Sequence, residues 1–278
     1  MLLGTLSYKE EAILIKVVQV IQRMDNGRTC PFLVSCSDAI DYIIKFNSNC
    51  TRTCKHEFNE LIAYRLAKLL DLTIPKSQIV YLSKNMINQN AELKKIGAVA
   101  GPCFASEYHK IGSTMITPVL LKKAINLSEI PSMFLFDEII LNDDRWSNMG
   151  NLFFDLKTNK IMLIDHSDIF KNGQVWTDYE LKSYQKIPPT TVSLDGKLYN
   201  LMKDYVRGSK PFDSIKKKIK NVTPQQINNI FTNIPPSWNI TKNEIIESKN
   251  FVSFQLKHYS EILEKVHCYF PKWKEGKK

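Results

Sequence analysis

Short apolar runs separated by turn signals fill the first stretch of the chain. Val17 to Met24 is β-prone, Asp25, Asn26 and Gly27 form a turn signal, and Cys30 to Cys36 is a second apolar run. Ser37 to Asp41 turns the chain again into Tyr42, Ile43, Ile44, Lys45 and Phe46. Three short strands with tight turns predict an antiparallel meander. The period then changes. Phe58, Leu61, Ile62, Leu66, Leu69 and Leu70 recur at helical spacing. Pro75 closes that helix and introduces a strand candidate at Ser77 to Leu82, and Lys84 to Ile96 fits neither period. Phe104 to Tyr108 is expected to connect to a second lobe.

Pro131 opens an apolar segment running to Leu141, which predicts a buried helix with proline in its first turn. A polar turn follows, then Leu152, Phe153 and Phe154, a turn at Lys157 to Lys160, and Ile161 to Ile164. This is a β-hairpin with carboxylates and amides gathered at its ends. Beyond residue 178 the pattern is helical, broken at Pro188-Pro189 and Pro235-Pro236. The order of elements, a small sheet with one helix and then a helix, a hairpin and a helical tail, gives an α+β fold class.

Composition narrows the options. With 278 residues the chain has room for one large domain or two lobes, and 44% hydrophobic with 24% charged residues is ordinary for a globular protein. No apolar run reaches the roughly 20 residues that span a bilayer. Lys9, Glu10 and Glu11 interrupt the N-terminus before a secretory leader could form, so a cytoplasmic location is expected. Cys50 and Cys54, with His56 nearby, sit on one loop without a second cysteine pair. They therefore fall short of a four-ligand structural zinc site. The net charge of +10 is concentrated late, with 19 basic against 10 acidic residues from Lys171 onward and 19 against 18 before it. The Lys216 to Lys218 run and the terminal lysines read as solvated helix and tail charges, and direct nucleic-acid binding is not expected.

The densest polar constellation is Asn142, Asp143, Asp144, Arg145, Trp146, Ser147, Asn148, Met149, Gly150 and Asn151, followed after the hairpin by Ile164, Asp165 and His166. Phosphoryl transfer needs a carboxylate to orient the attacking hydroxyl, oxygen ligands for magnesium, and cations for the phosphates. A loop carrying Asp and Asn, and a hairpin returning a second Asp, can supply the first two. Lys45, at the end of a strand, could point an ammonium at phosphates. Glu60 on the following helix can reach back to hold it, with Glu57 one turn earlier as the fallback. The Asn26, Gly27, Arg28, Thr29 turn could cover phosphates through backbone N–H groups and Arg28, though it has one glycine and no Walker A motif.

These pieces occur in kinase order. Gly27 to Pro31, Tyr42 to Phe46, Asn59 to Ala67, Asp144-Arg145 with Asn151-Leu152, Ile164-Asp165-His166 and Ile234 to Trp238 together resemble HipA-like kinases. That family is a branch of the protein-kinase-like superfamily, distantly similar to phosphoinositide kinases. The resemblance covers about residues 15 to 265. It implies a bilobal protein-kinase-like fold, with a small antiparallel-sheet N-lobe at 1–108 and a mainly helical C-lobe at 109–278. It implies ATP and Mg2+ as cofactors and a protein Ser/Thr hydroxyl as acceptor. Asp144 becomes the catalytic Asp, Arg145 orders its loop, Asp165 binds magnesium, Lys45 binds phosphate with Glu60 as its partner, and Gly27 and Arg28 cover the phosphates. Phe104 and Glu107 would meet the adenine through their backbone. Asn151 precedes a strand as the family's metal-binding Asn does and is preferred. Asn148 is second, and Asp143, five residues before Asn148, leaves another pairing open. The family also implies a small antitoxin-like or DNA-binding partner. A lipid or small-molecule acceptor on the same fold, and a non-catalytic nucleotide- or partner-binding module, are the alternative readings.

Overall fold

The computed structural model describes residues 14–24, 31–48, 54–146 and 148–274. In chain order the first elements are β1 (Val17–Arg23), β2 (Phe32–Cys36), β3 (Asp41–Ile44), α1 (Lys55–Leu69), β4 (Ser77–Leu82), α2 (Lys84–Gln89), α3 (Ala91–Lys95) and β5 (Gly101–Glu107). They are followed by β6 (Gly112–Ser113), α4 (Pro118–Lys123), α5 (Ile130–Ile140), β7 (Leu152–Asp155) and β8 (Lys160–Leu163). The tail holds α6 (Asp178–Tyr184), α7 (Lys197–Met202), α8 (Asp213–Lys220), α9 (Pro224–Ile230), α10 (Lys242–Lys257) and α11 (Tyr259–Val266). The chain divides into two compact units, Met1–Cys50 with Gln78–Glu107, and Thr51–Ser77 with Tyr108–Lys278.

The first unit is a five-stranded sheet of order β1-β2-β3-β5-β4. The expected meander is present: β1 pairs antiparallel with β2, and β2 with β3. The sheet also curls, because the residue before β1 bridges to the far edge, with Tyr81 N–H donating to Ile15 O at 2.8 Å. Val34, Ile44, Val80, Leu82, Leu93 and Cys103 fill the space this creates. Two readings gain detail here. Phe104 to Glu107 is the second half of β5, which lies between β3 and β4, and the chain passes to the second unit directly after it, at Tyr108. Its backbone is taken up in the ladder Ala105↔Ile44, Ser106↔Ile43 and Glu107↔Tyr42. The signal was there in Cys103, Phe104 and Ala105, three consecutive buried residues of the kind that fill a central strand. The ambiguous stretch from Lys84 to Ile96 is two short helices, each started by a side-chain cap: Ser83 accepts from Met86 N–H and Asn90 from Leu93 N–H.

Helix α1, grouped with the sheet in the sequence reading, falls in the second unit. Its polar side chains explain why. Lys55 pairs with Glu244 on α10 at 2.8 Å, and Arg65 donates to the carbonyls of Ile230 and Thr232 at the end of α9. An aromatic line completes the attachment, running from Phe251 on α10 through Phe170 and Trp176 to Phe58 on α1, with centroids 5.3–5.8 Å apart. The Pro235 to Trp238 motif has a structural role as well. It forms a 3-10 turn that buries Trp238 and gives its carbonyl to the N–H of Cys54, the residue that starts α1.

At the centre of the second unit lies α5, buried on every side, with Leu141 ending it in the left-handed conformation (φ 48°). The expected hairpin β7–β8 is present, its strand ends within one residue of those expected, and β6 adds a third strand against β7. Outside β8, Asn126 donates its amide to Ile161 O and accepts from Ile161 N–H, both at 2.9 Å, while Leu163 N–H donates to Thr73 O at 3.0 Å. The tail is helical as expected, with residues 185–196 crossing it without regular structure. No helix among the described residues is long and apolar enough to cross a membrane.

Buried α5 carries one charge out of place. Glu138 accepts from Val192 N–H at 3.0 Å, and burial, with Asp137 beside it, pushes its carboxyl up to about 8. The carboxyl of an unfolded chain titrates near ~4.3. The stabilising protonated form is therefore fully retained below about pH 4 and lost as pH rises through 8. Glu138→Gln is expected to melt at the same temperature as the wild type near pH 4. By pH 8 it should be more stable by a few kcal/mol, as on the order of ~1.4 kcal/mol per pH unit implies. Calorimetric melts across that range measure the gap.

Candidate active site

The polar loop after α5 is built around a buried ion pair. Asp137, inside α5, accepts from Arg145 Nε at 2.7 Å, from Asn142 Nδ2 at 3.1 Å and from the Tyr199 hydroxyl at 3.0 Å. Asp137 and Arg145 are both fully buried. A charge removed from water at this depth must be matched in sign and in hydrogen bonds, and here three groups close around one carboxylate. Burial and the Asp137 charge hold the Tyr199 phenol well above its usual range, so it remains a donor.

The other arms of Arg145 hold the open end of the hairpin. Nη1 donates to Asn151 O and to Ile164 O, and Nη2 meets His166 Nε2 at 3.0 Å. One register step beyond the Leu152↔Leu163 pair, Asn151 faces Ile164, with Ile164 N–H on Asn151 O at 3.4 Å. Paired residues across antiparallel strands lie about 5 Å apart at Cα, so Asn151 and Asp165 share this end of the hairpin. Asp144 joins them: its Oδ2 accepts from Asn151 Nδ2 at 2.7 Å and from Asn148 Nδ2 at 3.4 Å. Both asparagines therefore address Asp144 and not Asp143. Burial raises the Asp143 carboxyl above its ordinary value, and Asp144 next to it adds to this, against the pull of Lys171.

The two asparagines differ in what their amide oxygens do. Asn148 Oδ1 accepts from Gly150 N–H at 3.0 Å and so closes a turn of the loop. Asn151 uses its Nδ2 on Asp144, which turns Oδ1 to the other side. Asp165 stands in the left-handed region (φ 55°), tolerable for an Asp, and its Oδ1 accepts from the Ser167 hydroxyl at 2.8 Å. Phe170 and Lys171 are left-handed too (φ 62° and 69°), a costly backbone for such side chains. Their N–H groups are held on Ile140 O and Leu141 O at 2.8 and 2.9 Å, so the end of α5 fixes them.

Helix α1 secures the same segment from its own face. Glu60 Oε2 accepts from His166 N–H at 3.0 Å. Asn59 Nδ2 donates to Ser167 O and Gly173 O at 2.7 and 3.0 Å, while Asn59 Oδ1 accepts from Trp176 Nε1 at 3.0 Å. Glu57 is buried on the same helix, with His56 Nε2 at 3.8 Å from its Oε1. In the first unit Lys45 directly follows β3, and Phe104 and Glu107 lie in β5. Gly27 and Arg28 lie outside the described residues.

The oxygen donors at the hairpin end are one carboxylate and one amide, Asp165 and Asn151. Among the described residues no group of three or more His, Cys, Asp or Glu side chains forms a metal cage. That donor set fits magnesium, a hard cation that takes one or two protein oxygens and completes its octahedron with phosphate and water.

Residues 17–268 match the HipA-like kinase family. The chain belongs to that family. HipA-like kinases are phosphotransferases, and an α+β kinase-like fold agrees with the architecture above. The proinflammatory kinase CtkA of Helicobacter pylori superposes with a TM-score of 0.52 at 14% identity, covering 89% of this chain and 93% of that one. A Golgi casein kinase solved with Mn and ADP gives 0.49 at 12% identity over 90% and 74%. The Shewanella oneidensis HipA, solved with HipB and operator DNA, gives 0.42 at 12% over 82% and 60%. No curated protein sequence is significantly similar to the chain.

Sequence reasoning missed Asp137, Tyr199 and Gly196, and placed Asn59 in a family stretch without a role. The signal for Asp137 was a pair of adjacent carboxylates, Asp137 and Glu138, inside an otherwise largely apolar helix. Gly196 gives none in sequence, yet a Cβ there would stand 1.8 Å from Trp146 O, inside the backbone of the Asp144 loop. Gly196→Ala must push that loop away. A displacement near 1 Å is expected to lower kcat by about 10²-fold with little change in melting temperature. Steady-state kinetics beside a thermal melt checks both parts. Asp137→Asn, which leaves Arg145 buried without its counter-charge, is expected to cost about 3–5 kcal/mol by urea unfolding.

Proposed function

We propose that this HipA-like kinase transfers the γ-phosphoryl group of ATP, with magnesium, to a Ser or Thr hydroxyl of a protein. The observation that carries this is the 2.7 Å bond from Asn151 Nδ2 to Asp144 Oδ2, at the hairpin end that also presents Asp165. Asp144 would orient the acceptor hydroxyl and take its proton, the work of a catalytic Asp in phosphoryl transfer. Asp165 and Asn151 would hold magnesium. The bound nucleotide supplies the electrophilic phosphoryl group. Within the first unit, Lys45 is assigned to phosphate binding on the family resemblance, as is the protein acceptor.

The geometry supports Asn151 over Asn148 as the metal-side amide, because the Asn148 oxygen is spent on Gly150 N–H. Arg145 acts by placement: its guanidinium ties the loop of Asp144 to Asn151 and Ile164, leaving little for those groups to reorganise during transfer.

Purified protein is incubated with γ-labelled ATP and magnesium, with separate protein, lipid and metabolite pools as acceptors. Label is expected in protein, on Ser or Thr by mass spectrometry. Asp144→Asn should lower kcat by about 10²–10⁴-fold. Asp165→Ala should reduce transfer to background while keeping the wild-type melt. Undiminished transfer by Asp165→Ala overturns the assignment, and label confined to lipid or metabolite overturns the acceptor.

A further inference from the structure

His166 sits between two groups that the proposed chemistry depends on. Its Nε2 is 3.0 Å from Arg145 Nη2, and its Nδ1 is 3.8 Å from Glu60 Oε2. A guanidinium has donors only. Nε2 must therefore accept, and the neutral ring carries its proton on Nδ1, the nitrogen facing the Glu60 carboxylate. The ring is buried and stands edge-on to Phe136 of α5 at 5.7 Å. The His166 backbone N–H donates to the same Glu60 oxygen at 3.0 Å. A polar line thus runs Asp137, Arg145, His166, Glu60, from α5 through the catalytic loop to α1, passing beside Asp165.

We propose that His166 is a positioning residue that acts as a two-sided spacer, its Nε2 fixing Arg145 and its backbone N–H fixing Glu60, so that Asp165 is held in register with the Asp144 loop. This rests on the phosphotransfer reading above. The ring nitrogen that meets Arg145 can be tested by substitution. Glutamine places an acceptor where Nε2 stands. Phenylalanine keeps the ring against Phe136 and removes both ring nitrogens.

Two measurements decide the matter. In protein labelled with 15N-histidine, correlation spectra read the tautomer of each of the five histidines, and loss of one signal set in His166→Gln assigns His166. A neutral ring protonated at Nδ1 is expected, and protonation at Nε2 overturns the proposal whatever the variants do. In kinetics, His166→Phe is expected to lower kcat by about 10²-fold, as a small misplacement of the reacting groups would, with KM for ATP changed less. His166→Gln should recover much of the loss, because it restores the bond to Arg145. A His166→Phe protein with wild-type kcat and a wild-type melt would show that packing alone matters, and would overturn the inference. Wild-type protein that transfers no label, or an unaffected Asp165→Ala, indicts the phosphotransfer reading instead.

Discussion

Arg145 is held inside the protein by one carboxylate, Asp137, and spends its remaining donors on the backbone of two strands and on one imidazole ring. A guanidinium suits this position because its donors diverge in a fixed plane, so a single rigid group can set several chain segments relative to one another. Its burial carries a desolvation cost that only complete pairing offsets. Tyr199 and Asn142 supply that completion from the side of Asp137. The groups proposed for phosphoryl transfer lie one residue away from this hub: Asp144 precedes Arg145, Asn151 gives it a carbonyl, and Asp165 follows the second carbonyl.

Two helices share the task of keeping that arrangement. The end of α5 fixes the left-handed residues Phe170 and Lys171 through backbone bonds, and α1 fixes His166, Ser167 and Gly173 through the side chains of Glu60 and Asn59. The strained backbone after Asp165 is therefore pinned on both flanks. Strain of this kind persists only where surrounding contacts over-determine it, and it concentrates where a side chain must be aimed. Ser167, buried and bonded to Asp165 Oδ1, aims the carboxylate directly.

Much of this was legible in the sequence. Alternation and turn residues located β1 to β4, helical spacing located α1, and an unbroken apolar run located α5. The Asp144-Arg145, Asn151 and Asp165-His166 series stood out because its residue types are those of phosphoryl transfer, and the fold brings these residues together. What stayed hidden has a common cause. Asp137 and Tyr199 are 62 residues apart and meet only through tertiary packing. Gly196 matters through the space it leaves. That Phe104 to Glu107 forms a central strand before the chain passes to the second unit stayed hidden, because its run of buried residues lacks in-out alternation. Helix α1 was grouped with the sheet because adjacency in sequence suggested it, whereas its side chains bond to residues more than 100 positions away.

The capping of β8 by Asn126 has a wider meaning. A strand at the margin of a sheet leaves a row of open donors and acceptors that other chains can join, the usual start of strand-mediated aggregation. Here one side-chain amide imitates a peptide group and saturates both polar atoms of Ile161, and Thr73 saturates the N–H of Leu163. That margin of the three-stranded sheet is thereby closed to strand addition along these residues. A protein partner reaching this face would have to be read by side chains, not recruited as an extra strand.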